Sequence, residues 1–152
     1  MIKKLKNYLL WLGYYWGLIN IVLLSEDFIR EFQDKINWYD VWRNRKLSEN
    51  FIREFQDKVN WSYISGSQTL SEDFIREFQD KVSWIGISYS QKLSEAFVIE
   101  FQDKVNWYWI SREQKLSKEF ILEFIDKIVL DAILVYQNLD HETKEYLLLL
   151  KG

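Results

Sequence analysis

His141 is the only histidine in the chain. Acid–base and metal chemistry near neutral pH lean on imidazole, and a single one within the polar stretch LDHETKEY reads as a surface residue. Carboxylates are plentiful, but Glu26, Glu31 and Asp34 return in nearly every stretch of the chain. A carboxylate pair that does acid–base work is unique and set in a pocket. Carboxylates repeated along a solvated helix face read as charge pairing and capping. Ser65, Ser88 and Ser111 also recur, with no histidine partner to activate them, and are assigned to packing. The chain has no Cys, which excludes disulfides, thiol catalysis and cysteine metal sites. It carries no glycine-rich phosphate loop and no metal-ligand spacing. The expectation is a protein that is not an enzyme and uses no cofactor and no metal.

Two other sets of side chains could bind. Trp38, Trp61, Trp84 and Trp107 are read as core, with a stacking platform for bases or sugars as the alternative. Gln68, Gln91, Gln114 and Gln137 lie on the same inner face and are expected to bond backbone groups where one unit meets the next, because a buried amide needs partners. Twenty basic against 23 acidic side chains leave a net charge of −3. There is no basic excess to neutralise phosphates, so no nucleic-acid partner is expected.

The elements that must position these residues come from internal repetition. Leu24-Ser25, Leu47-Ser48, Leu70-Ser71, Leu93-Ser94 and Leu116-Ser117 recur every 23 residues. Phe28, Phe51, Phe74, Phe97 and Phe120 keep that step, and so do Phe32, Phe55, Phe78, Phe101 and Phe124. The four Trp follow, with Leu130 in the fifth slot, and then Val41, Ile64, Ile87, Ile110 and Ile133. Units therefore run over 24–46, 47–69, 70–92, 93–115 and 116–138.

Each unit predicts two short helices. Leu24, Phe28, Ile29, Phe32 and Ile36 fall on one apolar stripe of the first. Ser25 suits its N-cap, and Glu26 and Asp27 suit the positive end of its dipole. Glu26–Arg30 and Glu31–Lys35 are spaced as i, i+4 ion pairs. Asn37, Asn60, Ser83 and Asn106 suit the N-cap of the second helix, where Trp61, Ile64, Ser65 and Gln68 share a face. Helices this short cannot stand alone in water, so neighbouring units must cover each other. A coiled coil would need a sustained heptad, which is missing. The expected fold is all-α, an α-solenoid of short two-helix repeats with atypical capping units at both ends. The whole of 1–152 is read as a single repeat domain, with 1–23 a degenerate N-terminal cap and 139–152 a C-terminal half-unit cap. In the latter, Asp140 can cap, Leu147 takes the second Phe slot, and Thr143 departs from the first.

The N-terminal stretch supports two readings. It starts basic and carries no charge from Asn7 through Ser25, which suits a signal anchor with residues 7–25 in a bilayer. It also keeps the repeat step, with Leu5 and Leu9 in the Phe slots and Tyr15 in the Trp slot. No small-residue site favours a cleaved signal. A membrane role is open only through this segment.

One contrast points to binding. The outer face of the first helix hardly changes between units, whereas that of the second changes every time. It reads Tyr39, Asp40, Arg43, Asn44, then Ser62, Tyr63, Gly66, Ser67, then Ile85, Gly86, Tyr89, Ser90, then Tyr108, Trp109, Arg112, Glu113. Drift at unconstrained positions is the plain explanation. The sharper one is a strip that binds a protein partner or a second copy, made of Tyr39, Asp40, Arg43, Asn44, Tyr63, Tyr89, Tyr108, Trp109, Arg112 and Glu113. Such residue types are enriched where proteins meet, and soluble surfaces seldom expose aromatic rows idly.

The run from Ile64-Ser65 to Trp84, and again from Ile87-Ser88 to Trp107, follows I-S-x-x-Q-x-L-S-E-x-F. This pattern resembles short tryptophan-containing tandem repeats in proteins of giant DNA viruses, over roughly residues 24–130. The resemblance implies a repeat scaffold of viral or virus-derived origin, and brings no catalytic residue with it. The first unit departs at Trp42 and Arg45, the fifth at Ile125 and Leu130. The expected function is a scaffold for protein–protein interaction or self-assembly; a membrane-anchored repeat protein is the alternative. The expected setting is an intracellular, reducing compartment, with the cytoplasm of an infected host cell following from the resemblance.

Overall fold

Six or seven residues make barely two helical turns, and the chain is built almost wholly from helices of that length. The computed structural model describes residues 25–151, so the predicted N-terminal cap, 1–23, and all but Ser25 of the alternative anchor lie outside the described residues. Eleven helices and no strand occur among the described residues. The first helices of successive repeats are α1 (Glu26–Glu31), α3 (Glu49–Glu54), α5 (Glu72–Glu77), α7 (Glu95–Glu100) and α9 (Lys118–Glu123). The second helices are α2 (Trp38–Asn44), α4 (Trp61–Ser67), α6 (Trp84–Ser90), α8 (Trp107–Glu113) and α10 (Leu130–Tyr136), and α11 (His141–Lys151) ends the series. The described residues divide into two compact units between Asn60 and Trp61. In the second, α4 packs on α6, α6 on α8, α8 on α10 and α10 on α11. The fold is all-α, an α-solenoid of helical repeats.

Every first helix is capped as its sequence directs. The hydroxyls of Ser25, Ser48, Ser71, Ser94 and Ser117 accept from the amide of the Phe three residues on, at 3.1–3.2 Å. Asn37, Ser83 and Asn106 cap α2, α6 and α8. The buried side chains are the predicted ones, including Phe51, Phe74, Phe97, Ile64, Ile87 and Ile110.

The apolar stripe predicts a first helix that runs on to the Ile36 slot, but each α-helix stops one residue before its second Phe. Phe78 sits at φ −111, ψ 26. The backbone groups that a longer helix would pair find other partners. The Gln79 carbonyl accepts from the Trp84 indole at 3.0 Å, and the Ser83 amide donates to Ser65 Oγ of the preceding repeat at 2.8 Å. One repeat later, Gln102 accepts from Trp107 at 2.9 Å and the Asn106 amide donates to Ser88 at 2.9 Å. The stripe survives because bonded turns continue the curl, with the Val82 amide 3.0 Å from the Phe78 carbonyl. Ion pairing between Glu31 and Lys35 was expected on a helix that continues, and Lys35 lies in the turn beyond α1.

Second helices this short leave carbonyls exposed at their C-termini, and the next repeat covers them. Gln91 Nε2 donates to the carbonyls of Ser65 and Gln68 at 2.9 and 2.7 Å, while its Oε1 accepts from the Leu70 amide at 3.0 Å. Gln114 does the same for Ser88, Gln91 and Leu93. Gln137 reaches Ser111 and Gln114 at 3.0 and 2.6 Å. The Trp side chains are half-buried, not fully enclosed, and each packs on the next repeat. Trp84 lies 4.9 Å from Phe101 and 6.3 Å from Phe97, ring centre to ring centre, with Lys104 Nζ 5.9 Å from the indole.

The near-constant charges also tie repeats together. Glu72 accepts from the Ser94 amide at 2.6 Å, and Glu95 from that of Ser117 at 2.5 Å. Arg76 Nε meets Glu100 of the next repeat at 2.8 Å, while in its own helix the guanidinium meets Asp73 at 2.9 Å and Glu72 at 3.5 Å. Lys104 reaches back to Gln79 and Asp80 at 2.9 and 3.1 Å. Within the first unit, Glu26 holds the Ser48 amide at 2.7 Å and Arg30 holds Glu54 at 2.6 Å. There, Trp42 replaces the junction Ser. It stacks on Trp38 at 4.8 Å and donates to the Lys58 carbonyl at 3.0 Å.

At the C-terminal end Leu147 is fully buried in a cluster with Ile121, Ile128 and Ile133. Asp140 caps α11, accepting from the Thr143 amide at 2.7 Å and its hydroxyl at 2.9 Å. These two bonds, the amide first, hold the Asp140 carboxyl below its ordinary 3.8. A depressed carboxylate contributes stability above its unfolded pKa and loses it as pH falls through the folded value. Hydrogen exchange at Thr143 and Lys144 is therefore expected to accelerate, beyond the intrinsic effect of pH, as pH drops below 3.8; Asp140→Asn should abolish that dependence.

Replacing Gln114 by Leu strands two carbonyls and one amide in the interior. Urea unfolding followed by circular dichroism should show a loss of about 2–4 kcal/mol, against less than about 0.5 kcal/mol for exposed Lys115→Ala. Equal, small losses for the two would rule out the buried amide as the fastener.

Candidate functional site

On their inner side α4, α6 and α8 bury Ile with Ser, α2 buries Val41 with Trp42, and α10 buries Ala132 with Ile133. In α2 the four predicted residues stand together. Tyr39 is 59% exposed, Arg43 Nη1 donates to its hydroxyl at 3.3 Å, and the guanidinium lies 5.8 Å from its ring centre. Asn44 donates to the Asp40 carbonyl at 3.1 Å. This is an i, i+4 tyrosine–arginine pair on an exposed face.

In the second unit α4 offers small groups. Ser62, Gly66 and Ser67 are exposed, Tyr63 is half-buried, and its carbonyl accepts from Ser67 Oγ at 2.7 Å. Gly86 matters to the packing here. A Cβ on it would stand 3.1 Å from Ser65 Cβ and 3.2 Å from the Gly66 nitrogen, so α6 approaches α4 closely where it crosses.

From α6 onward the outer face becomes aromatic. Tyr89, 52% exposed, meets the Trp109 ring edge-on at 4.6 Å. Tyr108 meets the other neighbourhood of Trp109 at 4.9 Å, again edge-on. Arg112 lies 5.3 Å from the Trp109 ring centre and 4.5 Å from that of Tyr136. Its Nη1 donates to the Tyr108 hydroxyl at 3.4 Å. Its Nε stands 3.0 Å from Glu113 Oε1 without hydrogen-bond alignment, so that contact is ionic. The hydrogen bond to Tyr108, aided by Tyr136 and Glu113, raises the Arg112 pKa above its ordinary value and keeps it charged. Tyr89, Trp109, Arg112 and Tyr136 thus form one continuous row over α6, α8 and α10, flanked by exposed Ile85 and Val135.

The chain matches no family model, no curated protein and no solved structure.

The structure brings Tyr89, Tyr108, Trp109, Arg112 and Glu113 together in the second unit, and Tyr39, Asp40, Arg43 and Asn44 together in the first. Tyr63 is half-buried. Tyr136 was missed. It occupies the slot of Asn44, Ser67, Ser90 and Glu113, so the repeat step alone would have found it. His141 is exposed, 3.6 Å from Glu145 on the next turn. Among the described residues no group of three His, Asp or Glu side chains is arranged to hold a metal ion, and no helix is long and apolar enough to cross a membrane. The hydroxyls of Ser65, Ser88 and Ser111 donate to the carbonyls of Trp61, Trp84 and Trp107 at 2.6–2.7 Å while accepting from the next repeat. What the outer row offers is ring faces, ring edges and one fixed cation.

Proposed function

We propose that this chain is a non-enzymatic helical-repeat scaffold that binds a protein partner, or a second copy of itself, through the outer face of its second helices. The observation that carries the reading is the row Tyr89–Trp109–Arg112–Tyr136, in which exposed Tyr89 and Tyr136 flank half-buried Trp109 and Arg112. Ser and Gln close the repeat junctions on the buried side, so this row is surplus to them. Tyr, Trp and Arg are the side chains that dominate binding energy where proteins meet, and exposed apolar patches mark such contacts. The mechanism is display. Each repeat holds its outer side chains at a spacing set by the buried framework, and the framework leaves their identity free. A net charge of −3 argues against a nucleic-acid partner. A chain with no cysteine suits a reducing intracellular compartment.

The test is capture by the tagged chain beside a variant carrying Tyr108→Ala, Trp109→Ala and Arg112→Ala, with sedimentation velocity on both to read self-association. The variant should keep its helical circular dichroism and lose the captured protein or the self-associated species. Undiminished capture and self-association by a folded variant would remove the strip from consideration.

A further inference from the structure

Arg112 is the cation of the row, and it meets rings on two repeats. Its guanidinium carbon is 4.5 Å from the Tyr136 ring centre on α10 and 5.3 Å from that of Trp109 on its own helix. Its Nη1 also donates to Tyr108. Tyr39 and Arg43 occupy the same two slots of α2 and meet in the same way, at 3.3 Å. The tyrosine–arginine i, i+4 contact thus occurs in α2 and α8, and in α8 the guanidinium also meets the Tyr136 ring of the next repeat.

We infer that Arg112 is the positioning residue of the outer row, a planar cation that clamps Tyr108, Trp109 and Tyr136 into one preformed platform across two repeats. This rests on reading the row as a binding surface. Exposed aromatic side chains lose rotamer freedom when a partner settles on them, and a side chain fixed beforehand avoids that loss. A guanidinium can do this because it stacks flat on rings while its remaining N–H groups reach a hydroxyl and a carboxylate; a lysine ammonium is a point charge that cannot. Arg112 acts through its neighbours, and the partner meets the rings.

The experiment uses the whole chain labelled with 5-fluorotryptophan and 3-fluorotyrosine, observed by fluorine NMR. Trp109 and Tyr136 signals are assigned from Trp109→Phe and Tyr136→Phe. In Arg112→Lys, which keeps the charge, both signals should move towards their unfolded-chain positions and broaden, while those of Trp61 and Trp84 stay in place. Tyr136→Leu, on the other repeat, should move the Trp109 signal as well. Capture by Arg112→Lys should fall towards that of the triple variant. Unmoved Trp109 and Tyr136 signals overturn the clamp whatever the capture shows. Moved signals with full capture by Arg112→Lys overturn its role in binding. A folded triple variant that captures as well as the parent chain sinks the binding strip itself, a failure told apart from the clamp's because the NMR reads the clamp with no partner present.

Discussion

A helix of six or seven residues has more orphan backbone groups than internal bonds, and everything else in this structure follows from where those groups find partners. Four amides and four carbonyls lack intrahelical partners in any α-helix, so in α4, Trp61–Ser67, the ends are nearly the whole element. The chain meets the deficit from the neighbouring repeat. Gln91 takes two carbonyls near the end of α4 and the Leu70 amide beyond it, and Ser65 takes the Ser83 amide ahead of α6. A repeat without its neighbours would strand the two carbonyls and the Ser83 amide, at a cost of about 1–3 kcal/mol each where buried. Stacking is therefore a condition for the helices to exist, and not merely a way to arrange them.

The same exchange explains why the repeat is short. Trp84 takes the Gln79 carbonyl, and Ser65 takes the Ser83 amide, which together would have closed the next helical turn. With both diverted, the bonded turn that follows the first helix goes no further, and the chain turns back in time to start the second. The half-buried indole then lies on two Phe rings of the following repeat. One side chain thus satisfies a turn carbonyl in its own repeat and packs against the next, which accounts for its place in four of the five units.

Much of this was legible in the sequence. The 23-residue step, the Ser and Asn caps, the buried Phe and Ile slots and the backbone role of Gln91, Gln114 and Gln137 all follow from residue type and spacing. The end of the first helix was not legible, because Phe78 and Val82 keep facing the core through a bonded turn and so imitate a longer helix. The role of Glu72 and Arg76 was legible only in part: their i, i+4 spacing is visible along the chain, while their closest partners, Ser94 and Glu100, are 22 and 24 residues away. At the outer row, Tyr89, Tyr108, Trp109 and Arg112 stood out by type. Tyr136 did not, because its repeat lacks Trp and carries Val135 where α8 carries Arg112, which hid the slot it shares with Glu113.

Framework and display are thereby separated within each repeat. Side chains that fasten backbone to backbone hardly vary, since any change strands a buried partner; side chains that point away from the junction are free to differ. The claim beneath this division is that side chains of the neighbouring repeat, and not local helix structure, protect the junction amides. Native-state hydrogen exchange measures it directly at Ser83, Asn106 and Val129, whose amides lie outside the helices and donate to a Ser of the preceding repeat. The account predicts that these three exchange as slowly as amides in the middle of α6 and α8. Exchange at the rate of open loops would contradict it.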